Sequence, residues 1–215
     1  MKKDLKKLAE RRRYAIQVLA KLKKLFPHAR MFLNYSTSFE LLVAVMLSAQ
    51  CTDKKVNEVT PALFAKYRSV EDYANASIED LERLVYQTGF YHAKAKHIKE
   101  AAAVIRDTFA GKLPKTMALM LQIPGVGRKT ANVVLGNAYG VSEGIAVDTH
   151  VRRLAGVLGL SSATAIPAIE RDLMELFPQK EWFRLTYYLI EYGRKYCPAK
   201  KHDHTQCPLG HKKGK

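Results

Sequence analysis

Apolar residues recur along this chain at three- and four-residue intervals, and capping signals bracket the runs, so the pattern predicts helices. No convincing two-residue alternation appears, and the expected fold class is all-α. Leu5, Leu8, Ile16, Leu19 and Leu22 predict an amphipathic first helix. The stretch "FELLVAVMLSAQ" after Ser38 is apolar on nearly every side, which predicts a central, buried helix. Thr52 is placed to cap the next one, running to about Lys66. Ser69 with Asp72 and Ser77 with Asp80 resemble capping boxes, and Gly89 and Gly111 stand where helix C-caps belong. Pro124 ends one helix and Gly140 the following one, Asp148 can cap a helix through Leu158, and two more cover roughly 164–177 and 181–193. From Cys197 onward "CPAKKHDHTQCPLGHKKGK" has no apolar period and predicts no core of its own.

Charge narrows the function classes. The formal net charge is +16, and nearly all of the excess sits at the ends: residues 1–30 hold eleven Lys and Arg against two acids, residues 192–215 seven against one. A chain so charged predicts a polyanionic partner. With 47% apolar and 26% charged residues, it is not a disordered polyelectrolyte. The longest apolar run, "LLVAVML", falls far short of the ~18–20 residues of a membrane span, and no signal peptide pattern opens the chain. A soluble, cytoplasmic protein is expected, associated with the nucleoid if prokaryotic. Cys51, Cys197 and Cys207 form no disulfide framework, which fits a reducing compartment.

The segment "IPGVGRKTANVV" concentrates the candidate chemistry. Its glycines permit positive φ and close backbone approach, so a tight turn feeds a helix whose first N–H groups suit a phosphate. The spacing of a nucleotide-binding P-loop is missing. Taken alone, the segment also reads as an ordinary Gly-rich connection between helices. Lys129 follows in the first helical turn, where the helix dipole opposes its charge; a lysine amine without its proton attacks carbon electrophiles and forms Schiff bases. Burial would favour the same uncharged form, whereas a lysine there is otherwise a solvated surface residue. Asp148, after "GIAV" and before "THVRR", is a good N-cap, and an aspartate held by cap bonds is also preorganised for catalysis.

With these residues in view, the chain resembles the endonuclease III-type DNA glycosylases of the helix-hairpin-helix superfamily, from about residue 30 to 197. "LQIPGVGRKTANVVLGNAYG" is similar to that family's hairpin and catalytic-lysine segment, "IAVDTHVRR" to its catalytic-aspartate segment, and "MLSAQCTDKKVN" and "TGFYHAKAKHI" to two DNA-facing loops. The resemblance implies a bifunctional glycosylase and abasic-site lyase that extrudes a damaged base from duplex DNA. Lys129 and Asp148 would be catalytic. Gly125, Val126, Gly127, Arg128 and Thr130 would bind the DNA backbone. Gln50 and Phe90 would fill the gap left by the flipped base, or else are a polar helix terminus and a half-buried loop aromatic. Asp53 and His150 would line the base pocket, or else are early-turn residues of their helices. Oxidised pyrimidines are the implied substrates; the alternatives are a glycosylase of the same fold for mismatched or alkylated bases, or a non-catalytic DNA-binding module.

The resemblance further implies two helical lobes, residues 31–133 ending in the hairpin and residues 1–30 plus 134–215 with a basic tail over 197–215, with the flipped base between them. A monomer is expected, with lesion-bearing double-stranded DNA as its partner and no membrane. Many relatives close with four cysteines spaced C-x6-C-x2-C-x5-C around a [4Fe–4S] cluster. Here only Cys197 and Cys207 are available at that end, so the cluster is expected to be absent. Cys197, His202, His204, Cys207 and His211 offer zinc-type ligands, but their spacing matches no zinc template, and the expectation is no metal.

Overall fold

The structure is a computed structural model and describes residues 2–210. Among the described residues the regular secondary structure is helical, and no strand forms. The helices in chain order are α1 (Lys2–Leu25), α2 (Ser38–Leu47), α3 (Asp53–Lys66), α4 (Val70–Asn75), α5 (Ile78–Val85), α6 (Tyr91–Phe109), α7 (Met117–Met120), α8 (Arg128–Tyr139), α9 (Thr149–Val157), α10 (Ile166–Leu176) and α11 (Gln179–Lys195). They fall into two compact units. The central unit spans Phe32–Val141 and carries α2 to α8; the terminal unit joins the chain up to Met31 with the chain from Ser142 onward. The boundary expected at residue 133 falls inside α8. That helix stays whole, because Gly140 in the left-handed conformation (φ 66°) ends it and the chain leaves at Val141.

In the central unit, α2 is the hub. Phe39 and every residue from Leu41 to Leu47 are buried, and the helix packs on α3, α6 and α8. Each such Leu contributes roughly 1.5–3 kcal/mol by leaving water. The cap is Thr37, just before Ser38: Thr37 Oγ1 accepts from the Glu40 N–H and the Glu40 carboxylate accepts from the Thr37 N–H, a reciprocal pairing that needs the acid three residues on. The helix stops at Leu47, leaving Ala49 and Gln50 exposed beyond it. Thr52 and Ser69 cap α3 and α4 as expected.

The terminal unit buries Ala15, Val18, Leu19 and Leu22 of α1 against α10 and α11, with α9 packed on both. Leu5 and Ile16 remain 61% and 44% exposed, so the buried stripe is rotated by about one position from the expected one. Positions 15, 18, 19 and 22 share one helical face, and Ile16 lies beside it. The segment after α11 joins the core of this unit. Despite having no apolar period, it folds back so that Cys197 and Cys207 enter the unit's core, and the Leu209 N–H donates to the buried Tyr192 hydroxyl at 3.2 Å. Among the described residues no helix is long and apolar enough to cross a membrane.

Candidate functional site

The turn between α7 and α8 is built around one glycine. Gly125 has φ 75°, and a Cβ there would stand 2.8 Å from His97 Cβ on α6 and 2.8 Å from Met46 Cε on α2. The Met46 methyl can swing away, whereas the His97 Cβ is fixed to its helix. Gly125→Ala therefore combines left-handed strain with overlap, and a loss of about 2–4 kcal/mol in denaturant unfolding is expected. Gly127, at the N-cap of α8, faces open space, and no side chain caps this helix. Its first N–H groups are thus presented as an anion-binding terminus. The Val126 side chain is buried and its N–H is bonded to the Ile123 carbonyl at 3.1 Å.

Four of the expected DNA-binding residues come together. Gln50, Phe90, Gly125 and Thr130 line one surface groove of about 200 Å³ within the central unit, floored in part by Met46 and Lys94. Gln50 (φ 52°) and Phe90 (φ 50°) are both non-glycine residues in the left-handed region, a conformation that costs energy and clusters at functional sites. Phe90 is 66% exposed, so its ring stands out in solvent rather than packing in a loop.

A residue outside the sequence reading holds these two loops. Buried Lys94 donates from Nζ to the Leu47 carbonyl at 2.8 Å and the Thr88 carbonyl at 2.7 Å, tying the chain three residues before Gln50 to the chain two residues before Phe90. Burial pushes the Lys94 pKa below the ordinary amine range, with the Cys51 side chain acting weakly the other way. A lysine three residues into an amphipathic helix gives no sign in sequence that it will point inward.

Lys129 is exposed in the first turn of α8, and within its own unit its ammonium forms no ion pair. The burial weighed for it in the sequence is therefore not found. Arg128 is exposed beside it. Asp53 is the first residue of α3, half-buried, and is not among the groove's lining residues.

In the terminal unit Asp148 is the N-cap of α9, its Oδ1 accepting from the Val151 N–H at 2.8 Å. The approach to it is pinned twice: the Ile145 N–H donates to buried Glu170 Oε1 at 3.1 Å, and Thr186 Oγ1 donates to the Ala146 carbonyl at 2.9 Å. These two supports, 25 and 40 residues away in the chain, were not foreseen from sequence. His150 packs its ring against α11, with Nδ1 buried and 2.7 Å from where a Cβ on Gly193 would lie, so one ring nitrogen is spent on packing.

The expectation of no metal site needs correction. Cys197, His202, His204 and Cys207 bring their ligand atoms within 4.8 Å of one another, a group that could bind a metal ion. His211, the fifth donor considered, lies outside the described residues.

Comparison with known proteins agrees with this architecture. Residues 43–179 match the HhH-GPD family, described as HhH-GPD superfamily base excision DNA repair proteins. Endonuclease III of Synechocystis sp. is 46% identical over 207 residues, 96% of this chain and 94% of that protein. Endonuclease III of Bacillus subtilis is 42% identical over 192 residues, covering 89% and 87%. The solved structure of a trapped endonuclease III–DNA covalent intermediate, in an estranged-adenine complex, superposes with a TM-score of 0.86 at 41% identity over 91% of this chain and 93% of that one.

Proposed function

The chain belongs to the HhH-GPD superfamily of base excision DNA repair proteins, in its endonuclease III branch, and from that premise we propose that Lys129 and Asp148 carry its chemistry. It is a bifunctional DNA glycosylase and abasic-site lyase acting on double-stranded DNA that contains damaged bases. The observation that carries the residue assignment is the placement of Lys129: an exposed amine in the first turn of an uncapped helix, one residue before a groove-lining threonine.

In this reading the Lys129 amine, after losing a proton, attacks C1′ of the deoxyribose and displaces the base. The base leaves with the electron pair of the glycosidic bond and takes up a proton. Ring opening gives a Schiff base between Nζ and C1′; loss of a C2′ proton then breaks the C3′–O bond and frees the 3′ phosphate, and water hydrolyses the imine to restore the lysine. Asp148 stabilises positive charge on the sugar and assists deprotonation of Lys129, its cap bond from Val151 fixing the carboxylate beforehand. The uncapped start of α8, with Gly127, Arg128 and Thr130, binds a backbone phosphate. Gln50 and Phe90 occupy the space vacated by the flipped base, and their left-handed backbone and the exposed Phe90 ring support that use. Oxidised pyrimidines are the substrates we assign, with the nucleoid DNA of the cytoplasm as the place of action. Two cysteines, Cys197 and Cys207, in place of the four that the family's spacing calls for support the absence of a [4Fe–4S] cluster.

Borohydride trapping tests the substrate and the mechanism together. Duplexes carrying thymine glycol, and duplexes carrying an abasic site, are both expected to give a covalent adduct. Trapping at the abasic site alone would keep the lyase and reject oxidised pyrimidines in favour of mismatched or alkylated bases. No adduct on either would reject the Schiff-base chemistry.

A further inference from the structure

We propose that Cys197, His202, His204 and Cys207 form a tetrahedral, mononuclear zinc site, standing where relatives carry an iron–sulfur cluster. This goes beyond the glycosylase reading and does not depend on it. The donor separations carry the argument. Zinc bonds of ~2.3 Å to sulfur and ~2.0 Å to nitrogen, at tetrahedral angles, put sulfur and nitrogen ligands about 3.5 Å apart. Cys207 Sγ lies 3.4 Å from His202 Nε2 and 3.9 Å from His204 Nδ1, and Cys197 Sγ lies 3.8 Å from His204 Nδ1. The longer two exceed that tetrahedral edge by about 0.3–0.4 Å, and the four ligand atoms lie within 4.8 Å of one another, so a small side-chain closure brings them to a zinc tetrahedron.

The surroundings suit ligation. His202 Nδ1 lies 2.9 Å from the Lys200 carbonyl, which only accepts, so Nδ1 is the donor and Nε2 is the nitrogen turned to Cys207; a metal-bound histidine is commonly oriented by this kind of bond. Arg153 of α9 donates to the Cys197 carbonyl at 2.6 Å and reaches Cys197 Sγ at 3.5 Å, so a guanidinium sits beside the sulfur that would become a thiolate. Both cysteines are buried, while the two histidines close the solvent side. Asp203 accepts from the Thr205 N–H at 2.9 Å and starts the short 3-10 turn His204–Gln206, which turns His204 and Cys207 toward each other.

A [4Fe–4S] cluster does not fit this donor set. In the spacing C-x6-C-x2-C-x5-C, Cys197 and Cys207 fall at the first and third positions, His204 at the second and Lys213 at the fourth. Two thiolates and two imidazoles instead form a familiar structural zinc set. Zinc also needs no cluster assembly: it displaces two thiol protons and binds the four side chains directly. The site would clip the segment after α11 onto α9 and α11, which explains how a stretch without apolar periodicity comes to place two residues in the core.

Elemental analysis of the full chain tests the proposal without reference to activity. One zinc per chain that survives dialysis is expected, without iron or acid-labile sulfide. Cys207→Ser and His204→Ala should retain less than about a tenth of that zinc, and Cys51→Ser all of it. Because a ligand variant can fail to fold, cobalt titration of the metal-free wild-type chain provides the second measurement. Intense visible bands of tetrahedral cobalt with thiolate charge transfer, saturating at one ion per chain, are expected. Iron with sulfide, whether four irons or a two-iron cluster on mixed Cys and His ligands, would overturn the proposal. So would the absence of tetrahedral cobalt bands, or zinc retained in full by both ligand variants.

Discussion

Lys129→Gln is expected to lower lesion excision by at least about 10⁴-fold and to abolish borohydride trapping, because it removes the proposed nucleophile on which both steps would depend. Gln is one bond shorter than lysine but similar in helix propensity, so α8 has no reason to unfold. Lys129 is exposed and, within its unit, pairs with no acid, and relief of a cation at the positive end of α8 should raise stability by a few tenths of a kcal/mol. Binding to lesion DNA should persist with one cation fewer, its salt slope flatter by at most about 0.9 log units per log salt. The informative combination is lost chemistry with retained binding and an unchanged or slightly higher melting temperature. A variant that still excises and still traps would move the nucleophile elsewhere and leave the hairpin as a backbone-binding device.

Asp148 separates cap from catalyst by a pair of substitutions. Asn retains an acceptor for the Val151 N–H now held at 2.8 Å, so Asp148→Asn should fold with nearly wild-type stability. Asp148→Ala loses the cap and should cost about 1 kcal/mol in denaturant unfolding. Both remove the carboxylate charge, so both should lower base excision by about 10²–10³-fold. Cleavage of a preformed abasic site should suffer less, since no base then has to depart and Lys129 is intact. If Asp148→Asn excises at the wild-type rate while Asp148→Ala is merely less stable, Asp148 is a cap and nothing more. The buried contacts of Glu170 and Thr186 with the approach to Asp148 lend weight to the catalytic reading: they fix a backbone segment more firmly than a helix start alone requires.

The helices and the two proposed catalytic residues were legible in the chain because the forces that set them are local. Helical periodicity, the caps at Thr52, Ser69 and Asp148, and the stop at Gly140 depend on residues within about four positions of one another. The same locality explains what was misplaced: the buried stripe of α1 is settled by partner helices more than 130 residues away.

Convergence was decided only by the tertiary structure. Nothing local brings Gln50, Phe90, Gly125 and Thr130 to one groove, places Lys94 between the carbonyls of residues 47 and 88, or aligns His97 so closely that position 125 tolerates no Cβ. The tail gives the sharpest contrast. Read as spacing, its Cys and His residues fit no zinc template, because templates encode particular turns; folded, the same residues meet through a short 3-10 turn and an arginine from α9. Residue type and position determined which donors, acids and nucleophiles the chain possesses. Which of them act together was determined by chain reversals tens of residues long, whose geometry follows from packing of whole helices and leaves no periodic mark in the sequence.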